Sequence, residues 1–392
     1  MIRRMVLLCA ACIALVVSNC SPPQQSSLAV AQSCDISSMI QELTPGFSPV
    51  DYGNCTSGAA CLFNDPTTYV SVSPSKNFPA EQAAIVAAYN ISPAFFKNAL
   101  CSLHAIYVNT DTDQTKPAAW GMRERRFPNG SGGYRQHIGI SAGLLAALSD
   151  GTQYPVPYAD YERNQLLGLL SAPFVPPPQR VRFSRTVFSW VDGITFTANP
   201  DPAPPSVSSS PSAIALLGIL AHEMGHVIWF DQIVAVGASP SSNDPLPVPP
   251  RDTFTKISWH TPDHQRGFHL FGEGNPDASA ARPPLDAAVV TDLRDSCMSC
   301  AANDLNNIYN GEWASLFATI APDEDFVETY KLMVLTGGPL QSLQLSIPAT
   351  NITPSFSQNI LCHLGDKSKK LNQKAAWINS ALSLQWAAPA CQ

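Results

Sequence analysis

Charge is what this chain has least of. Asp, Glu, Lys and Arg together make up 14% of its 392 residues, against about a quarter in an average soluble domain. The few charges lean acidic, with a formal net charge of −7, and no basic patch emerges, which excludes a nucleic-acid partner. Long apolar runs are missing as well. The longest uncharged apolar stretch, Met5 to Val17, falls short of the about 20 residues that a membrane-spanning helix needs. A second Cys-x-x-Cys pair is also absent, because Cys297-Met298-Ser299-Cys300 stands alone. A four-cysteine zinc site is thereby excluded.

What is plentiful points to a globular fold with long loops. Apolar residues reach 45% and mean hydropathy is near zero, so a chain of this length can bury a large core. The 35 prolines are near twice the usual share and predict long irregular segments.

Residues 1–20 read as an export signal: Arg3-Arg4 precede the short apolar run, and Val17-Ser18-Asn19-Cys20 resembles a lipobox with Cys20 as the lipidated residue. Ala29-Val30-Ala31 is the competing cleavage site. On the first reading residues 21–33 form a polar tether, and Cys20 is the one link to a membrane. Eight further cysteines follow (Cys34, Cys55, Cys61, Cys101, Cys297, Cys300, Cys362 and Cys391), an even number that in an exported chain predicts disulfides. Cys297 and Cys300 are expected to close a local one.

Residues 34–79 carry three of these cysteines among turn-forming residues and read as a disulfide-pinned N-terminal extension. From residue 80 onward the pattern is α+β. Helices are expected from Ala80 and after Ser92-Pro93, then strands at Ala105–Val108, Trp120–Phe127 and Gln136–Ser141, helices near 142–149 and 160–171, and a hairpin over Arg180–Ala198. A Pro/Ser linker then leads into a strongly apolar helix. Residues 231–311 are proline-rich and aperiodic, and helical patterning resumes at Glu312–Ile320, Asp323–Leu335 and Lys367–Leu384. Asn90–Leu103 and Asn351–Leu364 also resemble each other, each reading as a Ser/Thr-Pro helix start that carries a cysteine on one face. Two readings are open, a pair of convergent Ser/Thr-Pro helix caps or a symmetric pair bridged by Cys101 and Cys362.

The chemistry is concentrated in Ala221-His222-Glu223-Met224-Gly225-His226. Ser210-Pro211 supplies a helix start, and side chains four residues apart share a helix face, so His222 and His226 reach one metal ion with Glu223 beside it. Gly225 costs about 1 kcal/mol of helix propensity, which implies close packing at that point. A catalytic zinc takes three protein ligands. The metzincin continuation, which needs a nearby Gly and third His, is excluded by Val227-Ile228-Trp229. Asp231, His260, His264 and His269 are open alternatives for the third ligand. The stronger candidate lies in Pro322-Asp323-Glu324-Asp325-Phe326-Val327-Glu328, where Glu324 and Glu328 stack on one helix face and repel each other unless a cation or hydrogen bonds offset them.

These two motifs together resemble the zincin metallopeptidases of the gluzincin type, and most closely the lethal factor-like bacterial zinc peptidases. The resemblance implies a zincin-like domain of a small mixed sheet and metal-binding helices over residues 80–392, with 231–311 as a long insertion. It implies Zn2+ as cofactor, Glu324 as third ligand, and Glu328 as a supporting residue. Where the family often has an oxyanion-steadying tyrosine, this chain has Phe317; Tyr330, Tyr309 or a loop histidine are the candidates to replace it. The implied activity is hydrolysis of a protein or peptide substrate in the cell envelope or outside the cell, with Glu223 as general base. Arg135–Ser141 is the candidate edge strand for an extended substrate. The competing expectation is an envelope binding or structural lipoprotein with a structural zinc.

Overall fold

The computed structural model describes residues 34–43, 79–109, 119–125, 134–149, 188–191, 194–200, 211–229, 232, 254–260, 271–272, 298–315, 317–319, 322–347 and 356–390. The signal and tether (1–33), Cys55, Cys61, Cys297, Cys391, the helix expected at 160–171, and Asp231, His264 and His269 all lie outside these residues, as does the side chain of His260.

A one-turn helix α1 (Ile36–Met39) leads into β1 (Ile40–Leu43); α2 (Pro79–Ile91) and α3 (Ala94–Cys101) follow, then β2 (Ala105–Asn109), β3 (Ala119–Arg125), β4 (Tyr134–Ser141) and α4 (Ala142–Ser149). These strands form one sheet in the order β1-β2-β4-β3, parallel except for the β3–β4 pair. β2 and β4 are its middle strands, and each buries consecutive residues that point to opposite faces, Ala105 to Val108 in β2 and His137, Ile138 and Ile140 in β4. Strands covered on two sides read as near-continuous apolar runs, which is why Ala105–Val108 announces itself in the sequence. Ile40–Leu43 of the N-terminal extension pairs with Ile106–Asn109, so this part of the extension belongs to the sheet. The bridge Cys34–Cys101, with Cα atoms 5.6 Å apart, fastens it to the end of α3.

The Cys101–Cys362 bridge is therefore ruled out, since Cys101 is already paired; Cys300 and Cys362 are both in disulfides of their own. The internal similarity dissolves for the same kind of reason. The first copy is a helix from Ala94, but in the second Phe356–Asn359 is a strand and the helix starts only at Ile360, with Asn359 as its N-cap accepting from the Cys362 N–H.

A second sheet is antiparallel throughout, ordered β10-β9-β6-β5 from β5 (Phe188–Val191), β6 (Ile194–Pro200), β9 (Leu340–Ile347) and β10 (Phe356–Asn359). The remaining elements are α5 (Pro211–Ile228), the two-residue strands β7 (Trp259–His260) and β8 (Phe271–Gly272), α6 (Met298–Tyr309), α7 (Pro322–Gly337), α8 (Ile360–Gly365) and α9 (Lys370–Leu382). The expected helix over Glu312–Ile320 is not formed. Gly311 takes a left-handed φ of +104°, and a short 3-10 turn, Phe317–Thr319, is held where the Ser315 hydroxyl accepts from the Ala318 N–H. Among the described residues no helix is long and apolar enough to cross a membrane.

α5 is the central helix of the core. It begins at Pro211, as the Ser-Pro pair predicts, and buries Ile214, Leu216, Leu217, Leu220, Ala221, Met224, Val227 and Ile228 along one broad apolar face. α7 packs across it at Gly225. A Cβ there would lie 3.1 Å from both Cα and Cγ2 of Val327, closer than carbon atoms settle at equilibrium. Gly225 is thus the contact that lets the two helices approach. Gly225→Ala must push them apart, and we expect a loss of about 1–3 kcal/mol in urea unfolding despite the better helix propensity of alanine.

Candidate metal site

The close crossing of α5 and α7 brings three side chains to one point. His222 Nε2 and His226 Nε2 are 3.3 Å apart; Glu324 Oε2 is 3.6 Å from the first and Glu324 Oε1 3.5 Å from the second. Ligand atoms of the three all fall within 4.8 Å of one another. Two ligands each held at zinc's usual bond length in a tetrahedral shell stand about 3.3 Å apart, so the observed edges are those of a site that closes on a small cation. The side chains of His222, His226 and Glu324 are 15–17% exposed, so the site faces solvent at one side and is walled by protein on the others.

The pocket is organised from behind. Glu328, 1% exposed, takes the Nδ1–H of His222 at 2.7 Å, which leaves Nε2 to face the trio. The ring of Phe317 lies parallel to His222, with centroids 5.6 Å apart. Glu223 is buried, close enough to the His222 imidazole to feel its charge, and the backbone N–H of Gly121 in β3 donates to its carboxylate. β3 runs directly over α5 here, and a side chain at Gly121 would overlap the Glu223 carbonyl oxygen. Only glycine permits this approach.

Protonation at the site follows from this geometry. Burial pushes Glu324 up to about 8, His222 only partly opposing it. Burial also works against a charge on His222, but the Glu328 hydrogen bond and the carboxylates of Glu223, Glu328 and Glu324 outweigh it and lift the imidazole to about 9. His226, buried beside that cation, is lowered to about 3. Burial would raise Glu328, yet Lys331 and His222 overcome it and hold the carboxyl down at about 2. The site thus keeps a proton where a cation fits: protonated His222 donates through Nε2 to neutral His226. Glu324 Oε2 is buried with no hydrogen-bond partner. A buried carboxylate oxygen left unpaired carries a desolvation cost that a cation removes, and two imidazoles with one carboxylate are a zinc donor set. The residues present fit that ion.

Two results should follow. Zinc bound at these residues would displace protons from His222 and Glu324, so its affinity would rise as pH is raised from about 6 to about 8, with proton release measurable in weakly buffered solution. Glu324→Ala should weaken zinc binding by about a hundredfold or more, beyond the range usual for a supporting residue; undiminished zinc by metal analysis would refute the assignment.

Other expected site residues are placed differently. Tyr330 is on the opposite face of α7 from Glu328, packed among Phe95, Phe96 and Phe326 and lining a small cavity with Met224, Val227 and Ile228. It points away from the trio, and so does not act as a supporting residue there. Tyr309 is fully buried in the core. Arg135–Ser141 is no edge: β4 sits between β2 and β3, and β3 is the strand at the sheet margin beside α5. Lys331 and Gly121 were not singled out by motif. A lysine inside the apolar run Tyr330-Lys331-Leu332-Met333-Val334 was the available signal, because such a lysine is buried only when paired. Compared with protein-family models, curated proteins and solved structures, the chain matches none.

Proposed function

We propose that this chain is an exported zinc metallopeptidase of the zincin type, hydrolysing peptide bonds of a protein or peptide substrate. The observation that carries the reading is the triangle His222 Nε2, His226 Nε2 and Glu324 carboxylate, with edges of 3.3–3.6 Å, beside a buried carboxylate that is not part of it. A structural site has no use for such a group; a hydrolytic one needs a base.

His222, His226 and Glu324 hold the ion, which when bound supplies Lewis acidity to the scissile carbonyl and to the attacking water. Glu223 takes the proton of that water and returns it to the leaving amine nitrogen. Its burial, offset in part by His222 and then by the Gly121 N–H, raises its pKa, which brings the carboxyl closer to the working range for passing a proton in both directions. Glu328 keeps His222 in the tautomer that offers Nε2. An extended peptide adding to β3 would run alongside Glu223, since Gly121 of that strand already touches it.

The test is direct. Purified protein with zinc should release new amino termini from denatured casein or a peptide library, and a zinc chelator should stop it. No cleavage with any divalent metal, in protein that does bind zinc, would overturn the peptidase reading in favour of a binding or structural role.

A further inference from the structure

Lys331 lies one turn beyond Glu328 on α7, and its side chain is 7% exposed. Its Nζ stands 2.6 Å from each of the two Glu328 oxygens. One of those oxygens, Oε1, is also the acceptor for His222 Nδ1 at 2.7 Å. A continuous line of contacts therefore runs from Lys331 through Glu328 to His222 and ends at Nε2. Each link removes a freedom. A glutamate has three rotatable bonds and by itself does not present one oxygen to a fixed point. A lysine gripping both oxygens fixes the plane of the carboxylate and leaves Oε1 aimed at Nδ1. That in turn fixes which imidazole nitrogen carries the hydrogen and how the ring is turned.

Lys331 also gives the buried Glu328 carboxylate a cation of its own, so that oxygen pair is not stranded in the interior when His222 is neutral.

We propose that Lys331 is a positioning residue for the metal site: by holding both oxygens of Glu328 it sets the tautomer and ring angle of the ligand His222. The inference rests on the zinc reading of the trio, and its test separates the two. Zinc dissociation constants are measured by competition with a chelating fluorophore. Lys331→Met should weaken zinc binding by about ten- to a hundredfold, and Lys331→Arg, whose fork also spans two carboxylate oxygens, should restore most of it. In a Glu328→Gln background Lys331→Met should bring no further loss of zinc affinity, since on this proposal the lysine reaches His222 through that glutamate.

Wild-type protein that binds no zinc would refute the metal site itself. Wild type and Lys331→Met binding zinc equally would refute the positioning role alone, and so would an undiminished further loss in the Glu328→Gln background. If Lys331→Met fails to fold, Glu328→Gln and Glu328→Gln/Lys331→Met are each compared with wild type: affinities equal to one another and weaker than wild type support the role, and affinities that differ from one another or match wild type overturn it.

Discussion

Replacing Glu223 by glutamine should lower peptide hydrolysis by about 100- to 10,000-fold and leave zinc binding intact. Glutamine has the size of glutamate, and its amide oxygen can still accept from the Gly121 N–H that now holds the carboxylate. The Glu223 side chain belongs neither to the His222–His226–Glu324 group nor to the Glu328 bond that orients His222. Helix, metal ligands and strand contact all survive the change, so what is lost is the proton acceptor. Both steps that use it fail together: no base takes the proton from water, and no acid returns it to the amine. The comparison is kcat and KM on one peptide for wild type and Glu223→Gln at matched zinc occupancy. A fall in kcat with KM and zinc affinity unchanged is the expected pattern; equal kcat in the two proteins would remove Glu223 from the reaction.

How much of this was legible beforehand divides along the range of the interactions. The metal helix, its start at Pro211, the second acidic helix and the strands at 105, 119 and 134 are local patterns, set by periodicity and by Ser-Pro and Pro-acid helix starts, and they lie where the sequence puts them. The proximity of Glu324 to the two histidines spans about a hundred residues; like charges stacked on one helix face ask only for a cation or hydrogen bonds to offset them, and it is the resemblance to the gluzincin-type peptidases that implies Glu324 as the ligand. Strand order was not legible, because pairing is decided by partners distant in sequence. His137, Ile138 and Ile140 of β4 look the same in sequence whether the strand is central or marginal, and only the packing of β3 over α5 makes β4 central. The twin of the Asn90–Leu103 helix start failed for the same reason. Phe356–Asn359 has a free strand edge, β9, to pair with, and tertiary pairing overrides a local Thr-Pro signal. α6 does not announce itself although Leu305, Ile308 and Tyr309 bury one face at helical spacing, because the poor helix formers Asn303, Asp304, Asn306 and Asn307 dilute the short periodic stretch. Cys101 had several possible partners, and no spacing rule selects Cys34.

Lys374→Met should be among the most destabilising single changes in the chain, costing about 3–5 kcal/mol. Lys374 and Asp325 are both fully buried, with Nζ 2.8 Å from Oδ2 and 2.9 Å from Oδ1. Burial by itself pushes Asp325 up and Lys374 down, and each opposes the shift in the other. The remaining polar capacity is used as well: Lys374 donates to the Glu312 carbonyl at 2.8 Å and sits 4.0 Å over the Trp313 ring, and Trp259 Nε1–H donates to Asp325 at 2.9 Å. Removing the lysine strands a desolvated carboxylate, and that stranded charge is the main cost.

Asp325→Asn/Lys374→Met should therefore recover a large part of the loss, since asparagine keeps an acceptor for Trp259 and carries no charge to strand. The measurement is urea unfolding with unchanged slope, so that a shift in midpoint reports stability. A cost below about 1 kcal/mol for Lys374→Met would mean that the pair contributes no more than a surface ion pair does. The position of the pair gives the result a second reading. Asp325 follows Glu324 in the first turn of α7, while Trp259 comes from the proline-rich 231–311 segment, Trp313 from the turn after α6 and Lys374 from α9. Three segments that contribute no described side chain to the His222–His226–Glu324 group thus fix the turn that carries the proposed ligand Glu324. Loosening them should weaken zinc binding in proportion to the stability lost, whereas a variant that loses stability and keeps its zinc affinity would show that the helix crossing at Gly225 alone is enough to hold Glu324 in place.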